Sequence, residues 1–168
     1  MKPAGMGMVV LLGLRLAADS VSPSPSPTAP ETFAALFETG SAVQEIRLDL
    51  SPAALAVATD NAARLGLETR ARFQTSDWFS QVPGSYDLIV SNPPYIAADE
   101  MPDLAPEVRD WEPHLALTPG GDGLDPYRII ARDAAIYLTP GGRLLVEIGP
   151  TQGAAVAKLF AAQGLTDL

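Results

Sequence analysis

The sequence predicts an α/β fold built on a parallel sheet with flanking helices. Three observations carry that reading. Short apolar strand patterns alternate with helical ones from residue 43 onward. Helix-start and helix-stop residues stand at the joints between them. With 47% apolar and 18% charged residues in 168, the chain suits one globular domain of ordinary core size.

Val43–Leu50 is the first of these strands, with Ile46, Leu48 and Leu50 on one face. Ser51-Pro52 then opens a helix, Ser as N-cap and Pro at the first helical position. Its apolar stripe is Leu55, Ala58, Ala62 and Leu65, and Gly66 is the stop. Ala71–Thr75 is a weaker strand. Tyr86–Ser91 is the clearest buried strand, bounded by Pro83-Gly84 and Pro93-Pro94. Residues 96–124 read as a long loop with short helical turns, and a loop of that length in a compact domain is usually functional. Asp125-Pro126 opens a helix through Leu138, and Thr139–Gly142 is a turn with a left-handed glycine. Arg143–Ile148 is a strand, and Gln152–Gln163 the final helix.

The first 42 residues read differently, as an irregular, low-complexity segment ahead of a domain at 43–168. Ser20–Pro30 alternates Ser and Pro, which prevents helix and ladder pairing alike. Glu31–Phe37 fits a short helix stopped by Gly40. The apolar run Met6–Leu14 behind Lys2 could be a signal peptide with a small-residue site near Ala17-Ala18. Arg15 interrupts it, so an irregular N-terminus is the better reading.

Composition excludes several functions. The net charge is −9, with Lys only at positions 2 and 158, so no basic patch exists to neutralise phosphates or dock on an anionic membrane. There is no cysteine and one histidine, His114, which rules out a disulfide framework and a thiolate or histidine metal site. Asp122-Gly123-Leu124-Asp125 lacks the ligand spacing and terminal Glu of a calcium loop.

Ligands of parallel α/β sheets bind beyond the carboxyl ends of the strands, and three such ends carry unusual residues. Asp49 can accept both ribose hydroxyls of a nucleotide-like cofactor, or be a solvated acid at a helix start. Ser76-Asp77-Trp78-Phe79 offers an acceptor for an exocyclic amine and an aromatic cover for adenine, or a turn former with two core aromatics. Ser91-Asn92-Pro93-Pro94-Tyr95 follows the best strand. Its prolines donate no backbone hydrogen bond, so with the Asn92 side chain it presents acceptors for the two hydrogens of an –NH₂ group. Tyr95 can lie flat on a planar substrate. Two fixed acceptors would orient a poor amide nucleophile and stabilise the positive charge growing on its nitrogen. A rigid strand stop is the plainer alternative.

Asn92–Tyr95 after an apolar strand resembles the signature of class I (Rossmann-like) methyltransferases acting on amino groups. More narrowly, Asp87–Ile96, Trp111-Glu112-Pro113 with Ala116-Leu117, Gly120–Leu124, Asp49–Gly66, Ser76–Phe79 and Gly141–Gly149 resemble the release-factor glutamine methyltransferases. The match runs over about residues 46–168. It implies S-adenosyl-L-methionine as cofactor and a glutamine amide in the Gly-Gly-Gln motif of a peptide-chain release factor as substrate. By the same resemblance Asn92, Pro93, Pro94 and Tyr95 form the catalytic and substrate-binding set. Asp49, Asp77, Trp78 and Asn92 bind the cofactor, Glu112 and Pro113 shape the pocket, and no metal is needed. A cytoplasmic enzyme with a protein partner, and no direct nucleic-acid or membrane partner, is implied.

The family's glycine-rich loop should stand about twenty residues before the ribose acid. Here Pro23–Gly40 contains S-P-S-P-T-A-P, and only Glu38-Thr39-Gly40-Ser41 is weakly similar to that loop. The resemblance therefore implies a partial Rossmann-like class I sheet missing its central glycine-loop strand, in a chain incomplete at both ends or frame-disrupted. Such a sheet should expose apolar faces and an unpaired edge. Two alternatives follow: a nucleic-acid base amino-methyltransferase, and a non-catalytic remnant that binds no methyl donor.

Overall fold

The computed structural model describes residues 8–15 and 42–166. Strands β1 (Met8–Arg15), β2 (Ala42–Asp49), β3 (Ala71–Thr75), β4 (Tyr86–Asn92) and β5 (Leu138–Val146) form one sheet in the order β3-β2-β1-β4-β5. The pairs β2–β3 and β4–β5 are parallel, and β1 runs antiparallel to both β2 and β4. Four parallel strands thus share one carboxyl edge, where Asp49, Thr75, Asn92 and Val146 end.

Two expectations are corrected by β1. Met8–Arg15, read above as irregular, is a strand. It fills the centre of the sheet, so the expected gap is closed and β2 and β4 are paired on both sides. Its register sets Leu11 between Ile46 and Ile89, and Val9 between Leu48 and Ser91. The physical reason is that an apolar run can satisfy its ladder in either direction, and two apolar strand edges of opposite flank were open to it. The Ser20–Pro30 and Glu31–Phe37 expectations lie outside the described residues.

Helices α1 (Pro52–Arg64), α4 (Asp125–Tyr137) and α5 (Gly153–Ala162) flank the sheet, with one-turn helices α2 (Pro106–Arg109) and α3 (His114–Leu117) in the long loop. Ser51 Oγ accepts the Ala54 N–H at 3.2 Å, the N-cap read from the sequence. The step from β2 to β3 moves toward one edge of the sheet, and that from β4 to β5 toward the other. Right-handed crossovers therefore put α1 and α4 on opposite faces. The main core lies under α4 and α5, where Ile89, Tyr127, Ile130 and Ala134 are fully buried against Val156 and Phe160. On α1 only Leu55 and Ala62 are buried, while Leu65, expected in the stripe, is 72% exposed at the C-cap.

β5 begins five residues before its expected start. Leu138 pairs with Tyr86 and Arg143 with Leu88, so residues 139–142 bulge out between them. Gly141 sits there at φ +80°, the left-handed turn glycine expected from the sequence.

Candidate active site

The carboxyl edge of β4 is where apolar strand gives way to polar loop. Ser91 is buried, and its carbonyl accepts the Glu147 N–H at 2.9 Å. Asn92, opposite Met8 in the ladder, has an exposed side chain. Pro93 and Pro94 are fully buried. Proline suits this place because it brings no N–H needing a partner in the interior. The chain then passes to Tyr95, which is half-buried.

Three segments meet at Tyr95. Its hydroxyl donates to Glu147 Oε1 at 3.0 Å. Its carbonyl accepts from Gln152 Nε2 at 2.8 Å. Gly123 lies against the same carbonyl at φ +75°, and a Cβ there would come within 2.3 Å of the Tyr95 oxygen. The next residues are pinned as well, with Ile96 N–H on Leu117 O and Ala98 N–H on Gly121 O, both at 3.0 Å. Thr118 Oγ1 adds a bond to the Ile96 carbonyl. From the core side, the Tyr127 hydroxyl donates to the Glu147 carbonyl at 2.9 Å.

Burial pushes the Tyr95 phenol up, and the Glu147 carboxylate beside it pushes in the same direction. Burial raises Tyr127 more strongly. Both phenols therefore stay protonated at neutral pH and act as donors, not as bases.

Asp49 stands two strands away on the same edge, half-buried at the end of β2. Its Oδ1 accepts the Ser51 N–H at 2.7 Å, which turns the carboxylate across the start of α1. Asp77 and Trp78 follow the neighbouring end of β3, where the Ser76 N–H donates to the Asp49 carbonyl at 3.1 Å. Asp77 is exposed, whereas Trp78 is 7% exposed within the main core at φ +51°. Its Nε1 is buried and finds no hydrogen-bond partner among the described residues. Ser76 Oγ donates to the Trp78 carbonyl at 2.8 Å and holds that turn.

Asp77, Trp78 and Phe79 line a cleft of about 590 Å³ against Pro119 and the face of α4 carrying Arg128, Ile129 and Tyr137. Neither Asp49 nor any residue of Asn92–Tyr95 lines it. This cleft is therefore separate from the Asn92–Tyr95 segment. The structure thus groups Asn92, Pro93, Pro94 and Tyr95, keeps Asp49 on their edge, and sets Asp77 and Trp78 on a separate wall. Glu112, in the loop after α2, is exposed.

The sequence reading missed Glu147 and Gln152. A signal was present, since Glu147-Ile148-Gly149 follows directly on β5 at the same carboxyl edge that singled out Asn92. Among the described residues no cluster of acids and histidine could hold a metal ion, and no helix is long and apolar enough to cross a membrane.

Two features of this edge bear on S-adenosylmethionine as the methyl donor. Asp49 holds a ladder-end carboxylate with one oxygen on the backbone, leaving the other for a ribose hydroxyl. Asn92 presents an exposed amide at the same edge. A free carboxylate oxygen can accept from a ribose hydroxyl, and an exposed amide oxygen can accept from the amino group that receives the methyl.

An α/β sheet with an acid ending β2 and Asn-Pro-Pro-Tyr ending β4 defines a domain of the methyltransferase class. The model of the methyltransferase small domain matches residues 34–121, and the chain belongs to that family. It is 67% identical over 124 residues to a release factor glutamine methyltransferase of Cereibacter sphaeroides, covering 74% of this chain and 45% of the relative. Proteins of that name from Rhodospirillum rubrum and Agrobacterium fabrum are 49% and 48% identical over 118 residues, covering 70% of this chain and 36% and 41% of the relatives. The chain spans less than half the length of these curated relatives.

Proposed function

We propose that this chain transfers a methyl group from S-adenosyl-L-methionine to the side-chain amide nitrogen of a glutamine in a protein, a peptide-chain release factor. The observation that carries the proposal is the fixed Asn92–Tyr95 segment at the carboxyl edge, held at Tyr95 by Glu147, Gln152 and Gly123. The three relatives described above are release factor glutamine methyltransferases, which supports the substrate.

The sulfonium of the donor supplies an electrophilic methyl group. The protein's part is orientation and charge. Asn92 Oδ1 and the Pro93 carbonyl accept the two amide hydrogens, which aims the nitrogen and stabilises positive charge as it develops. The N–C bond would form as the donor's S–CH₃ bond breaks, and one of the two amide protons would then pass to water. Tyr95 packs against the amide plane, and Pro94 keeps the backbone stiff. Asp49 holds the ribose. Asp77 and Trp78 take the adenine, with the buried Nε1 of Trp78 open to an acceptor once the 77–80 turn adjusts. Residues 43–168, with β1 at the centre of their sheet, form the methyltransferase part, working in the cytoplasm on a protein partner.

Charge favours protein over nucleic acid. Asp49 and Glu147 stand at the edge in a chain of net charge −9. Carboxylates so placed repel a phosphate backbone.

A second reading has its own observation. Because β1 is antiparallel, its amino end, not its carboxyl end, lies at the binding edge. Among the described residues, no loop and helix N-terminus follow from the central strand there to receive the donor's carboxylate. That favours a family remnant without cofactor binding. Calorimetric titration with S-adenosylmethionine separates the two, with Asp49→Ala as control. Saturable binding lost in the variant, with methyl transfer to release factor and none to DNA or RNA, is the expected result. No heat from folded protein would establish the remnant.

A further inference from the structure

We propose that Gln152 is a positioning residue for the substrate-amide acceptors, a role that rests on the function proposed above. Gln152 is the residue before α5, and its backbone N–H donates to Gly149 O at 3.0 Å. Its side-chain Oε1 accepts the Gly149 N–H in return, also at 3.0 Å. This reciprocal pair fixes the side-chain amide in place. The remaining donor, Nε2, is then aimed at Tyr95 O at 2.8 Å.

A glutamine amide is the group this arrangement needs. It must accept on one side and donate on the other, which neither a carboxylate nor an ammonium can do. The surroundings leave no room for an alternative. A Cβ on Gly123 would fall 2.9 Å from Nε2, and one on Gly149 would fall 3.0 Å from Oε1. The turn after β5 is thereby tied to the loop after β4. Gln152 touches no reacting atom in this scheme. It sets where the Asn92 and Pro93 oxygens stand, and errors of about 1 Å in such settings cost on the order of 10²-fold in rate.

Two substitutions split its two bonds. Gln152→Glu keeps the acceptor for Gly149 and loses the donor to Tyr95, and Gln152→Ala loses both. Both are assayed beside wild type with S-adenosylmethionine and a full-length release factor, with melting temperature and amide hydrogen exchange of residues 92–98 measured in parallel. The expected result is a kcat lowered about 10- to 100-fold in both variants, with KM for the donor within about twofold of wild type. Gln152→Glu should melt with wild type while its 92–98 amides exchange about tenfold faster. Wild-type kcat and exchange in Gln152→Glu would overturn the proposal. If wild type itself transfers no methyl group, the proposed function fails, and exchange alone then decides. Faster exchange confined to residues 92–98 upholds the anchor, and unchanged exchange removes it.

Discussion

The β4–β5 end of the carboxyl edge and the β2–β3 end carry similar residues, an acid and an aromatic each, and treat them in opposite ways. At the first, Tyr95 is bonded through both its hydroxyl and its carbonyl, to Glu147 and Gln152. At the second, Trp78 sits in the left-handed region with a buried, unpartnered indole N–H among the described residues, and Asp77 faces solvent. One corner is satisfied and rigid. The other holds strain and an orphan donor, conditions associated with sites that change on binding. The Tyr95 corner is preorganised, while the Trp78 corner has unspent bonding capacity.

The comparison breaks most completely at Gly123. Gly123→Ala adds a left-handed alanine whose Cβ meets Tyr95 O at 2.3 Å, and should cost about 3 kcal/mol or more. Denaturant unfolding should register it, with methyl transfer lost alongside. Asn92→Ala comes next. Its side chain is exposed, so the melting temperature should hold while methyl transfer falls about 100-fold. An unchanged rate would remove Asn92 from the mechanism.

Trp78→Phe sharpens the contrast from the other corner. Removing an orphan N–H regains about 1–3 kcal/mol, which offsets the loss of aromatic area, so net stability should change by less than about 1 kcal/mol. A loss of about 3 kcal/mol would show that the indole N–H is satisfied in solution. Tyr95→Phe deletes one hydroxyl bond to Glu147 and should cost about 1 kcal/mol, read by denaturant midpoint. The smallest effect is a pH dependence. The Arg128 guanidinium and the Leu124 N–H hold the Asp122 carboxyl down at about 2, from 3.8. A lowered folded value means stability present above pH 3.8 and lost as pH falls toward about 2. Asp122→Asn should flatten that part of the melting curve against pH.

Much of this was legible in the sequence where local pattern decides. Tyr86–Asn92 is apolar and bracketed by prolines, and Ser51-Pro52 is a helix start on chemistry alone. The Asn92–Tyr95 grouping followed from the strand-end rule. β1 was not legible, because Met8–Arg15 pairs only with residues far along the chain and an apolar run does not state its direction. Trp78 was ambiguous for a related reason: an aromatic after a strand packs in a core or covers a ligand equally well by pattern. Gln152 needed the third dimension, since its partner Tyr95 is 57 residues away.

The central strand has a consequence for how the chain comes together in time. Synthesis makes Met8–Arg15 before the other described strands, yet its pairing with β4 matches residue 8 with residue 92. The β1–β2 and β2–β3 pairs close over shorter stretches than β4–β5, and β1–β4 spans the longest, so β1 can join β2 before it meets β4. Until β4 arrives, the free side of β1 presents a bare edge of N–H and C=O groups. The nascent protein is then a sticky part-sheet awaiting its other half, and a delay in that last pairing is where it should aggregate.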